Sequence, residues 1–369
     1  MNRRQLLTTT LAAAAAVPLA GPASAALGRT RLTLPQPTGP HAIGNIDLHL
    51  IGGGRELMAT VWYPAERSNH RLVPWMPDTS WRVVIDAVGF DAGEVAAPLT
   101  AARLGAPVKP GRRPVVIYSH GNDSVRSETT IVVQELVSHG YVVATVDHTG
   151  DGYTLFPDGR LGLPDDDDFN PWHSAHDMRV LLDKLELLAS GGNPDAERRP
   201  LPAALGNALD MGNVGMFGWS KGATSAALVM NTDRRVRAGL GFDGEMQSQP
   251  PVEGLSRPFM IMSAEFPRDV EPSVEEFWRK LRGWRLNVRA VGAAHGSYND
   301  QQWFVPDIVR LTGLGDDVLR DWCGTLDRGR AVRIQQAYPL AFFDLHLRRR
   351  RQRLLEGPSR AFPEVLYLP

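Results

Sequence analysis

The feature that most constrains the fold is a regular alternation of short apolar runs with helical stretches beyond residue 113. The apolar runs are Pro114–Tyr118, Tyr141–Val146, Asn213–Phe217, Ala238–Phe242, Pro258–Met262 and Leu286–Val291. The helical stretches are Glu128–His139, His173–Leu188, Ser220–Met230 and Ser273–Arg282, with a closing helix from about Arg330 to Arg351. Continuous apolar strands joined through helices are typical of parallel sheets that are covered on both faces. The pattern predicts an α/β fold with a mostly parallel central sheet.

Two earlier stretches extend this sheet in a different way. His41–Leu50 and Glu56–Tyr63 partly alternate apolar and polar residues on either side of Gly52-Gly53-Gly54, which predicts an antiparallel N-terminal hairpin. Residues 71–113 are rich in proline and glycine and are expected to be irregular. The loop-like stretches 151–168 and 191–202 lie between predicted elements and do not separate two cores. Residues 26–369 are therefore predicted to form a single domain.

Composition excludes some partners. The chain is 43% hydrophobic and 22% charged with a net charge of −1, so no excess of basic charge suggests nucleic-acid binding. Cys323 is the one cysteine, which rules out an intrachain disulfide bond.

The first residues are typical of an export signal. Arg3-Arg4 precedes a moderately apolar run that ends at Leu19, and Ala23-Ser24-Ala25 supplies a small-residue cleavage site. The run is too short to remain as a membrane span, which needs roughly 20 apolar residues. Residues 1–25 are therefore predicted to be a twin-arginine (Tat) signal peptide, recognised by the Tat export machinery, and the mature protein is expected to be secreted.

A Gly-x-Ser-x-Gly pattern, Gly218-Trp219-Ser220-Lys221-Gly222, lies between a predicted strand and a predicted helix. Glycines two residues on either side of the serine allow close backbone approach at a sharp strand-to-helix turn. Such a turn presents the serine hydroxyl at a helix N-terminus, where amides and the helix dipole favour developing negative charge. The pattern predicts Ser220 as the nucleophile of an α/β-hydrolase fold.

A serine nucleophile needs a base, and in this fold the order along the chain is serine, acid, histidine. His295 follows a predicted strand in a loop of small residues, whereas His346 lies inside the last helix beside a run of arginines. His295 is the predicted base. His346 is expected to be an exposed or packed structural residue.

Three carboxylates are candidates for the acid that orients His295. Asp243 ends the strand after the nucleophile helix, and Glu265 and Asp269 follow the next strand, the commoner place for the acid in this fold. Each could also be an ordinary surface carboxylate. Position alone does not rank the three.

An oxyanion hole needs two backbone N–H donors, one of them from the residue after the nucleophile. That residue is Lys221. The second donor is expected from the loop after an earlier strand, and Ser119-His120-Gly121-Asn122 follows an apolar run at the right place, so the Asn122 amide is predicted. The Lys221 side chain is expected to be a solvated charge at the rim of the site.

Together these segments resemble the platelet-activating factor acetylhydrolase family in its serine α/β-hydrolase form (plasma and intracellular type II), and its bacterial relatives. The similarity extends from Val61-Trp62-Tyr63-Pro64 to the final helix. The segments that carry it are Ser119-His120-Gly121, Leu136-Val137-Ser138-His139-Gly140-Tyr141-Val142-Val143, Gly218-Trp219-Ser220-Lys221-Gly222, Phe242-Asp243, Ser263-Ala264-Glu265-Phe266 and Ala294-His295. The resemblance implies a serine carboxylic-ester hydrolase without metal or cofactor that cleaves short or oxidised acyl groups from phospholipids. It also implies Asp243 as the acid, at a spacing from Ser220 similar to the family's.

Two departures from the family concern the substrate. Trp219 stands where the family usually has histidine, as in some polyester-cleaving bacterial hydrolases, and Asn122-Asp123-Ser124 replaces small apolar residues. We expect a small-molecule or lipid ester as substrate. A lipase or polyester hydrolase for long-chain or polymeric esters, an acyltransferase and a non-catalytic binding protein on a hydrolase scaffold stay open as alternatives.

Three further patterns are weaker. The acidic run Asp165–Asp168 does not have the spaced oxygens of a calcium loop. His173, His176 and Asp177 have no further residue that would complete a zinc site. The run Arg348–Arg351 is expected to be a solvated helix end, with transient contact to an anionic lipid surface as the alternative.

Overall fold

The computed structural model describes residues 29–87, 95–165, 170–313 and 315–369. The predicted signal peptide, residues 1–25, lies outside these ranges, as do Asp166, Asp167 and Asp168 of the acidic run. Within the described ranges, no helix combines the length and the apolar character that crossing a membrane requires.

The described residues form fifteen strands and eight α-helices. The strands are β1 Thr30–Arg31, β2 Ala42–Gly52, β3 Arg55–Ala65, β4 Leu72–Pro74, β5 Val95–Ala96, β6 Leu99–Leu104, β7 Arg113–Ser119, β8 Val142–Asp147, β9 Thr154–Leu155, β10 Leu161–Gly162, β11 Leu209–Trp219, β12 Val236–Phe242, β13 Phe259–Ser263, β14 Arg285–Ala290 and β15 Val365–Leu368. The helices are α1 Asp78–Ala87, α2 Thr130–Ser138, α3 Pro171–Ala189, α4 Lys221–Thr232, α5 Pro272–Lys280, α6 Gln301–Thr312, α7 Asp316–Cys323 and α8 Arg328–Arg348.

Eleven of these strands form one mixed sheet in the order β15-β14-β13-β12-β11-β7-β8-β3-β2-β6-β4. The six strands from β14 to β8 are mutually parallel. The predicted hairpin is β2–β3, which is antiparallel and turns through Gly53 and Gly54, both with positive φ. The predicted α/β-hydrolase architecture, with a mostly parallel sheet and an antiparallel N-terminal hairpin, is confirmed.

Helices cover both faces of the sheet because its central strands are apolar on both sides. In β11, Met216 faces a core that contains apolar residues of α3, α4 and α5, and the next residue, Phe217, faces a core formed with α2 and α8. Successive side chains of a strand point to opposite faces, so a strand buried on both sides must be apolar throughout.

Local signals set where two of the covering helices begin. Asn170 caps α3 by accepting a hydrogen bond from the Trp172 amide, and Pro171 occupies the first helical position. Glu271 and Pro272 repeat this arrangement at α5. A polar cap followed by proline favours a helix start, because proline lacks only an N–H that the first turn would leave unpaired.

The prediction that residues 71–113 are irregular is wrong in part. β4, α1, β5 and β6 lie in this stretch, and β6 joins the sheet by pairing in parallel with β2. The strands are short and lie at the sheet's edge, so they lack a long apolar run in the sequence. Two helices after His295, α6 and α7, and the antiparallel edge strand β15 were also not predicted.

The sheet order places the loops after β7 and β11 next to each other at the carboxyl ends of the parallel strands. β7 pairs in parallel with β8 on one side and with β11 on the other. From β7 the chain continues to β8 on one side of it and later returns to add β11 on the other side, so the order of strand addition reverses between β7 and β11. In open α/β sheets, loops that follow such neighbouring strands diverge and leave a crevice at their carboxyl ends. The segments after β7 and β11 are the ones that the sequence marks as oxyanion loop and nucleophile.

Candidate active site

Ser220 occupies the sharp turn between β11 and α4. Its backbone has φ of 56° and ψ of −124°, a strained conformation for a residue with a side chain. A Cβ atom on Gly218 would overlap the carbonyl group of Gly222, and a Cβ atom on Gly222 would overlap that of Ser119. The turn therefore requires glycine at both positions, which is the physical cause of the motif's spacing.

His295 begins a short 3-10 helix, His295–Tyr298, after β14. Its Nδ1 atom lies 2.7 Å from Oδ2 of Asp243. An ionised carboxylate can only accept hydrogen bonds, so Nδ1 carries the proton and Nε2 keeps a lone pair. The imidazole is thereby held in the tautomer that can accept a proton from a serine hydroxyl.

Asp243 is fully buried at the end of β12. Its carboxylate accepts hydrogen bonds from the backbone amides of Ala264, Glu265 and Phe266, at 2.6, 3.1 and 3.0 Å. Burial raises the pKa of Asp243, but the hydrogen bond and charge of His295 and the backbone amides together hold that pKa below its usual value. Asp243 is therefore an anion at neutral pH.

The other two acid candidates do not reach the imidazole in the same way. The Glu265 carboxylate accepts a hydrogen bond from the backbone amide of His295 at 3.3 Å, and Asp269 is exposed. The loop after β13, where the acid is commoner in this fold, here supplies amide donors to Asp243 instead. Of the three candidates, the structure places Asp243 against the ring of His295.

Trp219 connects the nucleophile turn to the histidine loop. Its ring lies against that of His295, with centroids 4.4 Å apart and planes inclined by 35°. Its Nε1–H donates a hydrogen bond of 2.9 Å to the His295 carbonyl oxygen. On another side Trp219 packs so closely against Gly121 that a Cβ atom there would overlap the indole. Trp219 thus contacts both the histidine loop and the predicted oxyanion loop.

His120 holds the predicted oxyanion loop from behind. The His148 amide donates to Nε2 of His120 at 3.0 Å, so the proton of the His120 ring is on Nδ1, which donates to the Gly121 carbonyl at 2.6 Å. Burial, with the neighbouring His148, lowers the pKa of His120 well below its usual value, which keeps the ring neutral. Because a trans peptide is planar, fixing the Gly121 carbonyl toward His120 turns the Asn122 amide in the opposite direction.

Lys221 begins α4, so its amide belongs to the helix N-terminus beside Ser220. The expectation for its side chain is wrong: the side chain is buried rather than solvated, with 5% of its surface exposed. Its ammonium group forms an ion pair with Asp151 and donates a hydrogen bond of 3.0 Å to Oδ1 of Asn122. A buried ammonium needs such partners because it has lost its hydration. These contacts tie the Asn122 side chain to the nucleophile helix.

Glu128 is a buried acid that links the oxyanion loop to the histidine loop. Its carboxylate accepts hydrogen bonds from the Tyr118 hydroxyl at 3.1 Å and from the Asn299 side chain at 3.4 Å, and it lies 3.5 Å from the Gly121 amide nitrogen. Burial raises the pKa of Glu128 to about 7. The sequence contains little that signals this role, because the partners come from two segments that are far apart in the chain.

A second set of serine, histidine and aspartate lies inside the protein. The Ser119 hydroxyl lies 2.8 Å from Nε2 of His148, and Nδ1 of His148 lies 3.1 Å from Asp177. Arg55 binds the same carboxylate at 2.7 and 3.1 Å. Ser119, His148 and Asp177 are each at most 1% exposed, so no ester reaches them. Since the His148 amide also holds His120, this buried set supports the oxyanion loop.

The weaker sequence patterns do not converge into one site. Asp177 contacts Arg55 and His148, whereas Nε2 of His176 lies 3.0 Å from the Gly53 carbonyl oxygen. In the parts of the chain that the structure describes, histidine, cysteine, aspartate and glutamate form no group of three that could hold a metal ion. His346 packs against Trp284, and burial lowers its pKa to about 4.

Known proteins resemble this chain in both sequence and structure. A family model described as platelet-activating factor acetylhydrolase, isoform II, matches residues 26–154. A probable 1-alkyl-2-acetylglycerophosphocholine esterase of Arthroderma benhamiae is 25% identical, over 91% of this chain and 93% of that protein. The platelet-activating factor acetylhydrolase of Cavia porcellus is 20% identical, over 73% of this chain and 69% of that protein.

The solved structure of a ferulic acid esterase from Streptomyces cinnamoneus has a TM-score of 0.78 and 29% identity to this chain. The match covers 93% of this chain and all of that one. These comparisons confirm the resemblance inferred from the motifs. The chain is a carboxylic-ester hydrolase with the α/β-hydrolase fold, similar to the platelet-activating factor acetylhydrolases.

Proposed function

We propose that the protein is a secreted serine esterase that works through an acyl-enzyme and acts on short-acyl esters or on the acyl groups of phospholipids. The observation that carries this proposal is the hydrogen bond between His295 Nδ1 and Asp243 beside the strained turn at Ser220. A histidine in this tautomer, next to a serine on such a turn, is the arrangement that activates a hydroxyl for acyl transfer.

In the proposed reaction, Ser220 Oγ attacks the ester carbonyl carbon while Nε2 of His295 takes the hydroxyl proton. The amides of Asn122 and Lys221 donate hydrogen bonds to the carbonyl oxygen as it becomes an oxyanion. The imidazolium gives its proton to the departing alkoxide, which leaves as the alcohol. Asp243 stabilises the imidazolium throughout.

The second half uses the same groups. His295 takes a proton from water, the resulting hydroxide attacks the acyl-enzyme carbonyl, and Ser220 leaves as its hydroxyl after the proton returns. The products are the carboxylic acid and regenerated enzyme. An alcohol in place of water would give acyl transfer, so the product analysis should include an added alcohol acceptor.

The substrate class can be tested with one panel of esters. Purified protein should be assayed with p-nitrophenyl esters of graded chain length, a short-acyl phospholipid and a long-chain triglyceride emulsion. The proposal predicts the highest kcat/KM for short acyl chains and release of the short acid from the phospholipid. Preference for long chains at an oil or polymer surface would instead favour the lipase or polyester hydrolase.

A second candidate substrate class is suggested by the similarity to the ferulic acid esterase. Aromatic rings surround the base in this chain: Trp219 lies against His295 on one side, and the Phe266 ring is 5.3 Å away, edge-on. Methyl ferulate therefore belongs in the panel. A higher kcat/KM for methyl ferulate than for p-nitrophenyl acetate would favour a planar aromatic acyl group over a short aliphatic one.

We also propose that residues 1–25 direct export by the twin-arginine route and that residues 26–369 form the single mature domain. The support is Arg3-Arg4, the short apolar run and Ala23-Ser24-Ala25. Changing Arg3 and Arg4 to lysine should retain the precursor in the cytoplasm, and the secreted wild-type protein should begin at Ala26. Unchanged secretion of the double variant would mean that another route carries the protein.

A further inference from the structure

A basic cavity lies at the edge of the sheet opposite Ser220. Arg113 begins β7, and Gly140 lies just before β8, so the cavity is at the amino ends of strands whose carboxyl ends face the site. Its volume is about 420 Å³, within the range of small-molecule pockets. The charged and ionisable residues that line it are His41, Arg112, Arg113, His139, Arg348 and Arg350.

Three nitrogen atoms from separate segments converge over Gly140. Arg113 Nη1, Arg348 Nη2 and His41 Nε2 lie 3.2, 3.2 and 3.4 Å from the position that a Cβ atom of Gly140 would occupy. Gly140 has φ of 92°, a conformation that side chains rarely adopt. Because Gly140 has no side chain, the three nitrogen atoms can gather this closely above its backbone at the wall of the cavity.

The positive charge in this cavity exceeds the negative charge that faces it. Arg348 donates to the carbonyl groups of His139 and Gly140 and pairs with Asp344 at 2.9 Å. Arg113, in contrast, donates to the Pro110 carbonyl at 3.3 Å, and in the described ranges no carboxylate lies within ion-pairing distance of it.

The other two acids near the cavity contact lining residues other than Arg113, Arg348 and His41. Glu135 contacts His139 at 3.0 Å and the Thr38 amide at 2.8 Å. Asp210 lies 3.5 Å from Arg112.

The electrostatics of the buried groups agree with this imbalance. Burial, with the nearby positive charge of Arg348, lowers the pKa of Arg113. Burial also lowers the pKa of His41, and the charges of Arg113, Lys109 and Arg348 lower it further. Like charges this close raise one another's free energy, and a bound anion would relieve that repulsion.

We propose that this cavity is a binding site for a tetrahedral oxyanion, namely phosphate or the phosphate group of a larger molecule, held by Arg113, Arg348 and His41. Arginine favours such groups because its planar guanidinium donates two parallel hydrogen bonds to a pair of oxygens. The site joins the start of β2, the start of β7, the α2–β8 turn and the end of α8. A bound anion therefore cross-links segments far apart in the chain, independently of the reaction at Ser220.

The test is the effect of inorganic phosphate on the full chain. Phosphate should raise the Tm progressively with concentration, beyond sodium chloride at the same ionic strength, because a ligand that binds only the folded state stabilises it. Calorimetric titration with phosphate should give a Kd that rises about tenfold or more in Arg113→Gln. Hydrolysis of p-nitrophenyl acetate by that variant should stay at the wild-type rate.

The matched control is Arg349→Gln, which removes the same charge from an exposed neighbour that does not line the cavity. The Kd of Arg349→Gln for phosphate should equal that of the wild type. Arg350→Gln is a second cavity variant at an exposed position, so it remains usable if Arg113→Gln does not fold. It should raise the Kd for phosphate about threefold. Equal stabilisation by chloride, or cavity variants that bind phosphate as Arg349→Gln does, would overturn the proposal.

Vesicles separate the two sources of the phosphate group. Phosphatidylcholine vesicles with and without phosphatidic acid should be sedimented with wild-type protein, Arg113→Gln and Arg349→Gln. Sedimentation that requires both phosphatidic acid and Arg113 would support the proposed site and identify a lipid headgroup as the phosphate group that it binds. If the protein does not sediment with either vesicle but its Kd for phosphate depends on Arg113, the proposed site is supported and its ligand is a soluble phosphate compound.

Discussion

The indole of Trp219 lies against the imidazole of His295, with ring centroids 4.4 Å apart, and it also donates a hydrogen bond to the carbonyl oxygen of that same histidine. Trp219 precedes Ser220 directly, so the contact joins the segment that carries the nucleophile to the loop that carries the base. The ring contact restrains the imidazole of His295, and the hydrogen bond restrains its main chain. Together they fix the orientation of His295 more tightly than the hydrogen bond to Asp243 could alone.

Replacing Trp219 should therefore lower kcat without unfolding the protein. Trp219→Phe keeps a ring but loses the donor to His295, and kcat should fall about threefold to tenfold. Trp219→Ala loses both restraints, and the fall should be on the order of 10²-fold. The control is Trp284→Phe, because Trp284 also packs 4.4 Å from a histidine ring, that of His346, but at the far end of the sheet. Wild-type kcat in Trp219→Ala would contradict the positioning role.

Asp243 should be far more sensitive to loss of charge than the acids near it. Asp243→Asn preserves volume but allows the wrong tautomer of His295, so kcat should fall on the order of 10⁴-fold. Glu265→Gln keeps an oxygen for the His295 amide, and Asp269 is exposed, so Glu265→Gln and Asp269→Asn should lose no more than about tenfold.

These three variants are best compared by kcat at saturating substrate, with circular dichroism to verify folding. An active Asp243→Asn beside a crippled Glu265→Gln or Asp269→Asn would move the acid to the loop after β13.

Two buried acids behind the site each contribute stability that is lost as pH rises. Burial raises the pKa of Glu128 to about 7 and that of Asp300 to about 8. Between about pH 5 and pH 8 the folded state thus binds more protons than the unfolded chain, and these groups make the free energy of unfolding decrease with pH. Glu128→Gln removes one of these contributions, so the slope of its free energy of unfolding against pH should be less negative than that of the wild type.

Urea unfolding at pH 5, 6, 7 and 8 measures this slope. Glu135→Gln is the matched control: Glu135 is also buried, but the hydrogen bonds of His139 and Thr38 outweigh burial and hold its pKa below the usual value. It should leave the slope above pH 5 unchanged. Equal slopes for Glu128→Gln and the wild type would show that Glu128 is already ionised across this range.

The parallel strands were predictable because most of them have central residues that are buried on both faces and therefore apolar. The edge strands were not, since Leu72–Pro74 has three residues and Val365–Leu368 has four, too few to show a pattern. The helix Gln301–Thr312 carries Pro306 in its interior, which normally argues against a helix.

The site was predictable where one short segment sets the geometry. The turn at Ser220 requires glycine at positions 218 and 222. The Gly-x-Ser-x-Gly motif alone therefore indicates the turn. The burial of the Lys221 side chain was not predictable, because it depends on Asp151 and Asn122, which lie in other loops. Position alone likewise did not rank Asp243 above Glu265, because that choice depends on the path of the loop after β13, whose amides surround Asp243. The resemblance to the acetylhydrolase family did imply Asp243.

The central claim, that Ser220 forms the acyl-enzyme, is tested most directly by intact-mass measurement after reaction with a fluorophosphonate ester probe. The serine oxygen displaces fluoride from the phosphorus, so wild-type protein should gain the mass of one probe less hydrogen fluoride, and peptide mapping should locate the adduct on Ser220. Ser220→Ala should gain none and should lose on the order of 10³-fold or more in kcat while remaining folded. Labelling of folded Ser220→Ala at the wild-type level, or near-normal turnover by it, would contradict the account.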